Sequence, residues 1–207
     1  VEAVTAVPNA TAYPYWKNVV KWKDVGDINY WVFPVNVGNV LGKYKFLNYI
    51  SVLYKVVVLP LSKFLSLCRV SQPHYRYELN IDDDFLSNRF KGDYINIKES
   101  GFHNIYRIVD EDGVRTAYLI YSVEGDRMTL KSLYRGVKLI LMHNKIDLIL
   151  FVGKIGFTQS LFMKIPRRFE PKRLPLTCDL LNNDTERYPD IHEIRNWDFG
   201  LINYDVR

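Results

Sequence analysis

The stretch Asp147-Leu148-Ile149-Leu150-Phe151-Val152 is a nearly unbroken apolar run, and it decides the fold. A run of this length without polar alternation is typical of a strand that is buried on both faces of a sheet. Apolar residues before it recur at helical spacing and predict a helix over residues 133–144. The two elements together predict an α/β protein with a mixed sheet.

Further strands are expected on both sides of this pair. Residues 104–109 and 115–123 predict a hairpin, because Glu111-Asp112-Gly113 between them is turn chemistry. The acidic run Asp82-Asp83-Asp84 predicts a helix start, since carboxylates are favourable at the positive end of a helix dipole. The remaining strand candidates are residues 75–79, 127–131, 158–165, 174–181 and 197–204.

The N-terminal part predicts a strand, a helix and a second strand, at residues 1–7, 10–20 and 29–35. A strand that begins at residue 1 needs partners that the following residues do not obviously supply. We therefore expect the chain to be the C-terminal part of a longer protein. The turn residues Asn36-Val37-Gly38-Asn39 predict a boundary after this unit.

Residues 43–67 predict a helical hairpin, or one helix that Pro60 kinks or breaks. The apolar stretch at residues 56–61 is too short to span a bilayer, and Lys55 and Lys63 bracket it. Tyrosines and lysines around the apolar stripe would suit an interfacial membrane helix, although a packed connector between two domains is the favoured interpretation. The expected segments are therefore residues 1–37, 38–72 and 73–207.

The amino-acid composition of the chain limits the ligands and partners that we expect for it. The formal charge of +5 permits an anionic ligand, but the chain has no zinc-finger spacing and no short aromatic nucleic-acid motif, so no nucleic-acid partner is expected. Two distant cysteines favour a reducing, cytoplasmic compartment. Four scattered histidines argue against a structural zinc site, and no metal is expected.

The opening Val7-Pro8-Asn9, followed by residues 15–26, resembles the tail of the GNAT acyltransferases. In that tail a strand ends near an asparagine, a helix carries a tyrosine, and a Gly-Phe step leads into the next strand. Here Lys21-Trp22 stands in place of Gly-Phe. The phrase is most similar to GNAT-like proteins of bacterial surface-sugar metabolism, in some of which two units lie in tandem. Residues 75–207 resemble a second, degenerate unit.

The resemblance implies a GNAT-like fold in which acyl-CoA binds where two parallel strands splay apart, with its pyrophosphate at the start of the following helix. Asn9 would then hydrogen-bond the pantetheine arm. Tyr13 or Tyr15 would protonate the departing thiolate. The phosphate-loop pattern Arg/Gln-x-x-Gly-x-Gly/Ala falls on Arg135 and Gly136, with Lys138 at its second small position.

The activity that the resemblance implies is N-acyl transfer from acetyl-CoA or another acyl-CoA to an amine, such as an amino sugar of a surface polysaccharide. Two alternatives stay open. The chain could be a non-catalytic binding module that recognises a sugar, a lipid headgroup or a protein, or an unrelated α/β protein. The basic stretch at residues 166–173 is a candidate for an anionic substrate, with a solvated loop as the alternative.

Overall fold

A computed structural model describes residues 3–42, 44–68, 75–78, 80–125, 127–156, 161–181 and 186–203. These residues form a mixed α/β structure with one six-stranded and one three-stranded sheet. The strands are β1 (Ala3–Ala6), β2 (Lys23–Asp27), β3 (Tyr30–Pro34), β4 (Tyr94–Glu99), β5 (Phe102–Glu111), β6 (Val114–Glu124), β7 (Leu148–Val152), β8 (Met163–Lys164) and β9 (Pro175–Leu180). The helices are α1 (Tyr13–Asn18), α2 (Val37–Val40), α3 (Asn48–Leu65), α4 (Asp83–Arg89) and α5 (Leu130–His143).

The apolar run forms β7, which lies inside the six-stranded sheet, as predicted. The strand order in this sheet is β4-β5-β6-β7-β3-β8. On one side β7 pairs in parallel with β6, and on the other it pairs antiparallel with β3. Ile149 is buried on the face that carries the helices, and Val152 is buried on the opposite face. The prediction of a mixed sheet with a central strand buried on both faces is therefore confirmed.

The predicted hairpin is also confirmed, as β5 and β6. Asp112 and Gly113 at its turn both have positive φ angles, of 53° and 76°, which is the backbone that a tight hairpin turn requires. The register shifts once along the pair, because Ile105 lies opposite Tyr121 while Tyr106 lies opposite Leu119. Ile120 is therefore the extra residue of a β-bulge.

The N-terminal strands join sheets that the rest of the chain builds. β3 lies between β7 and β8 in the six-stranded sheet. β2 ends only a few residues before β3, yet it belongs to the three-stranded sheet, in the order β1-β9-β2. Residues 1–37 and 73–207 thus contribute strands to the same two sheets, and the division of the chain into three segments stays a prediction.

Two apolar cores lie on the two faces of the six-stranded sheet. On one face α3 and α5 cover residues such as Phe33 and Ile149, and we call this the helix-side core. On the other face, the strand-side core contains Leu176 and Cys178 of β9 together with Leu86 of α4. Cys178 is a fully buried free thiol, and burial raises its pKa to about 11.

The prediction of a strand at residues 127–131 is wrong, because α5 already begins at Leu130. Thr129 is the N-cap, and its Oγ1 accepts a hydrogen bond from the backbone N–H of Ser132 at 3.0 Å. The Ser132 hydroxyl oxygen accepts in return from the backbone N–H of Thr129 at 2.9 Å. This reciprocal capping box starts the helix three residues before the predicted position.

Several smaller predictions are corrected or only partly tested. The helix predicted at residues 10–20 is shorter, since α1 covers Tyr13–Asn18 and Lys21 has a φ of 63° that a helix does not tolerate. Residues 200–203 form a turn instead of a final strand. The predicted strand at 158–165 survives only as β8, and its residues 158–160 lie outside the described part of the chain. The strand at 174–181 is confirmed as β9.

The helix predicted around Pro60 is one continuous helix, α3, with the proline inside it. Ser51, Val58 and Ser62 are buried, whereas most of the other apolar side chains of α3 are exposed. Within the described residues, one helical stretch, Lys45–Leu65, is long and apolar enough to cross a membrane by length and composition alone. An 18-residue window within it has a mean hydropathy of 1.2, and 17% of that window is buried.

The packing of α5 on β6 leads to a stability prediction for Gly136→Ala. A Cβ at this position would lie 2.6 Å from both Asn104 Oδ1 and Ser122 Oγ, which are buried. Alanine favours helix by about 1 kcal/mol over glycine, yet we expect overpacking to lower the free energy of unfolding by about 1–3 kcal/mol. Urea denaturation measures the change. Lys138→Ala, an exposed substitution on the same helix, should be near neutral, and equal effects of the two changes would contradict the prediction.

Candidate functional site

A cavity of about 700 Å³ opens at the end of the six-stranded sheet where β6 and β7 separate. The two parallel strands are paired only from Thr116 opposite Leu148 to Leu119 opposite Phe151. Beyond that point β6 continues to Glu124 with β5 as its neighbour, while β7 ends at Val152. The cavity therefore occupies the place where the sheet is split.

Three parts of the chain form the walls of this cavity. One wall is the end of β6, at residues 121–123, with the loop residues Gly125, Arg127 and Met128 that lead into α5. The second wall is the end of β7 with residues 198–203, which lie against it through a 3.3 Å hydrogen bond from Leu201 N–H to the Val152 carbonyl. The third is the turn between β4 and β5, with residues 80–83 beside it.

Asp198 is an ionisable group of the cavity with a strongly raised pKa. Burial raises its pKa to about 6, the charge of Glu78 acts in the same direction, and the Lys154 ammonium opposes them. Its backbone N–H donates to the Tyr77 carbonyl at 2.9 Å, which fixes the chain at this point. A carboxyl group that titrates near neutral pH in a cavity is suited to acid–base chemistry.

Two further ionisable side chains, those of Lys154 and Tyr75, lie close enough to Asp198 for their charges to interact with it. The ammonium of Lys154 lies 4.3 Å from the centre of the Tyr75 ring and donates a hydrogen bond to the Arg195 carbonyl. Burial lowers the pKa of Lys154, and burial together with the charge of Asp198 raises the pKa of Tyr75 to about 12. Tyr75 lines the cavity.

His103 lies in the opposite wall, in a setting that favours its neutral form. Its Nε2 is 2.8 Å from Asn96 Oδ1, and its ring meets Tyr121 edge-on at a centroid distance of 5.4 Å. Burial lowers its pKa, and the positive charge of Lys98 lowers it further.

The residues that the resemblance assigned to the first unit lie on α1 or in the turn before it, and not in the cavity. Asn9 Oδ1 accepts from the backbone N–H of Ala12 at 2.8 Å, so this side chain closes the turn before α1. Tyr13 donates to Asp24 Oδ1 at 2.7 Å, and its pKa is raised by burial and by this bond. Tyr15 is 59% exposed. The described cavity lining contains none of the three.

Arg135 and Gly136 lie in the middle of α5 and not in its first turn, which corrects their predicted place at a helix N-terminus. Arg135 pairs with Glu99 and lies over the Phe102 ring, 4.2 Å from its centre. Gly136 faces the sheet, where it allows α5 to approach Asn104 and Ser122 closely. Both residues thus support the cavity wall from behind, and their assignment to cofactor binding stays untested.

The basic stretch at residues 166–173 is anchored to the surface of the protein. Arg173 Nε lies 2.9 Å from Asp27 Oδ1, and Arg167 binds the other oxygen of the same carboxylate. The two guanidinium groups hold the pKa of Asp27 below its ordinary value despite the opposing effect of burial. Two arginines of this stretch are therefore already paired with a carboxylate of the same chain.

Neither a metal-binding cluster among the described residues nor a related protein indicates a role for the cavity. Among the described residues, no group of three or more His, Cys, Asp or Glu side chains is arranged to hold a metal ion. No model of a known protein family matches the chain, and no curated protein sequence matches it significantly.

Asp198 leads to a pH-dependent stability prediction for Asp198→Asn. Because its folded pKa lies above the unfolded value of about 3.9, its contribution to stability is fully present below pH 4 and is lost as pH rises through about 6. We expect the free energy of unfolding of the variant, relative to that of the wild type, to rise by about 1–3 kcal/mol from pH 4 to pH 8, after a discount for partial exposure. Urea titrations at several pH values measure this gain. A difference between the two proteins that is the same at every pH would contradict it.

Proposed function

We propose that this protein is a GNAT-like N-acyltransferase that binds acyl-CoA in the cavity between β6 and β7 and transfers the acyl group to an amine. The observation that carries the proposal is that β6 continues past its last pairing with β7, at Leu119 and Phe151, with the cavity beside the end of β7. The resemblance of the sequence implies that acyl-CoA binds where such a parallel pair comes apart.

The end of β6 supports the proposal because no described strand flanks residues 121–123 on the side of β7, while β5 pairs with them on the other side. The Ser122 carbonyl already accepts a hydrogen bond from the Ser132 hydroxyl at 2.8 Å. An extended pantetheine arm with two amide groups would lie along this edge of β6 and hydrogen-bond to backbone groups there. The bulge at Ile120 would then offer a backbone donor to the acyl carbonyl.

The loop from β6 to α5 supports a phosphate position that differs from the one expected at Arg135 and Gly136. The N–H of Ser132 is satisfied by Thr129, while the N–H groups of Leu130 and Lys131 are the first of the helix and have no acceptor within it. A diphosphate beside Gly125 and Arg127 would meet these donors, the helix dipole and a guanidinium group.

The proposed chemistry uses Asp198 as the proton carrier. The amine nitrogen attacks the thioester carbonyl, the new C–N bond forms, and the C–S bond breaks to release the thiolate of CoA. The Asp198 carboxylate takes the proton that the nitrogen loses and returns it to the thiolate, so that charge and protons balance. With a pKa of about 6, Asp198 is mostly ionised at neutral pH, as a base must be.

Acyl-CoA binding tests the proposal in isothermal titration of the 207-residue chain. We expect acetyl-CoA to bind, and Arg127→Glu to weaken it at least about tenfold through loss of a charge-assisted contact. Acetyl-pantetheine, which has no diphosphate, should bind wild type and variant equally.

The matched control for this titration is Arg168→Glu, an exposed charge reversal outside the cavity lining, which should leave affinity unchanged. Absence of acetyl-CoA binding by the wild-type chain would count against the proposal, and equal losses in both variants would place the diphosphate elsewhere.

A binding module without catalysis is the second candidate. Glu99 and Glu124 lie near the proposed diphosphate position, and each holds one cation of α5: Glu99 binds Arg135 and Glu124 binds Lys131. Carboxylates at this place oppose a polyanionic ligand. Titration with amino sugars, combined with a thiol-release assay on acetyl-CoA, separates the two. Sugar binding without thiol release would favour the module.

A further inference from the structure

The outward side of α3 is a continuous apolar surface. We define the outer face of α3 as Tyr49, Leu53, Val56, Phe64 and Leu67, the last lying just beyond the helix end. Successive members are three, four or eight positions apart at helical spacing, so they share one side. Tyr49 is 80% exposed, Leu53 65% and Phe64 67%. A helix of a soluble domain normally exposes a polar side here, and a helix that is apolar all round is normally covered.

The inner side of α3 is fixed to α2, to the segment before β8 and to the sheet. Ser51 Oγ accepts from the backbone N–H of Val37 at 3.0 Å, and the Tyr54 hydroxyl donates to the Leu161 carbonyl at 3.2 Å. The ring of Tyr54 also packs edge-on against Phe33 at a centroid distance of 5.5 Å. Because these contacts hold the helix on the protein, it cannot cover its own outer face by turning over, and a transmembrane position would break them.

The helical layer, formed by α3 and α5, contains lysine and arginine side chains but no Asp or Glu. Residues 44–68 contain three lysines and no Asp or Glu, and residues 130–146 contain four Lys and Arg residues and again no Asp or Glu. Two cations of α5, Lys131 and Arg135, pair with carboxylates among the described residues, and both carboxylates belong to strands of the sheet. The layer formed by α3 and α5 is therefore basic around an apolar centre.

We propose that the outer face of α3 binds the surface of an anionic lipid bilayer, with the helix axis in the plane of the membrane. Lysine beside apolar side chains suits this occupant, because its ammonium group can reach anionic headgroups while its stem lies along the apolar surface. Protein–protein interfaces are instead depleted of lysine. The outer face of α3 also carries the exposed aromatic side chains of Tyr49 and Phe64, and apolar and aromatic side chains of this kind form the buried face of interfacial helices. The proposal does not depend on the acyltransferase activity.

Vesicle sedimentation tests the proposal with the 207-residue chain. We expect it to bind vesicles of phosphatidylcholine with about one third phosphatidylglycerol, and to bind pure phosphatidylcholine at least roughly tenfold more weakly. Leu53→Asp should reduce binding to the anionic vesicles at least about tenfold, because it places a carboxylate in the apolar contact. Lys55→Gln with Lys63→Gln should reduce it by a similar factor and weaken its dependence on salt.

Val19→Asp is the matched control, since Val19 is 62% exposed on a different part of the chain. It should bind the anionic vesicles as the wild type does. No binding of the wild type to anionic vesicles would overturn the proposal. So would a stable dimer in sedimentation equilibrium that Leu53→Asp dissociates, because a second copy would then be the occupant. Equal losses in Val19→Asp and Leu53→Asp would also overturn it.

Discussion

The burial of β7 on both faces is the constraint on which the rest of the structure depends. A strand without a polar face needs a strand on each edge and a layer above and below it. The chain meets these needs from distant parts: β6 and β3 flank the strand, α3 and α5 cover one face, and β9 with the segment after it covers the other. Because β6 is longer than its pairing with β7, the same arrangement leaves the sheet split at one end.

The spacing of apolar residues predicted the secondary structure correctly where the apolar pattern was strong. β7, the β5–β6 hairpin and α5 follow from apolar spacing and from the turn at Asp112. The start of α5 was missed because Met128 and Leu130 alternate with polar residues, a period-2 pattern that favours a strand. The deciding signal was the Thr129-x-x-Ser132 cap, in which serine does the work usually given to Glu or Gln. That shift of the helix start moves the expected phosphate position into the loop before it.

The cavity was harder to foresee, because its residues come from separate parts of the sequence. Asp198 has an ordinary sequence context, and its altered pKa arises from burial beside Glu78 and Lys154, which no spacing rule brings together. Most apolar residues of the cavity lining, such as Leu86 and Ile120, belong to the strand-side core, while Met128 and Phe151 belong to the helix-side core. The described lining contains no residue of α3. A membrane bound at α3 would therefore leave the site open to water-soluble molecules.

The pairing of β1 and β2 with β9 has a consequence for how the protein folds during synthesis. Ala3 lies opposite Leu180, and β3 lies opposite β7, so the first three strands have their partners more than a hundred residues later in the chain. Such non-local pairings slow folding, since a long loop must close before any contact repays its entropy. A ribosome delivers these strands first, and their unpaired edges remain open to intermolecular pairing until β7 and β9 emerge.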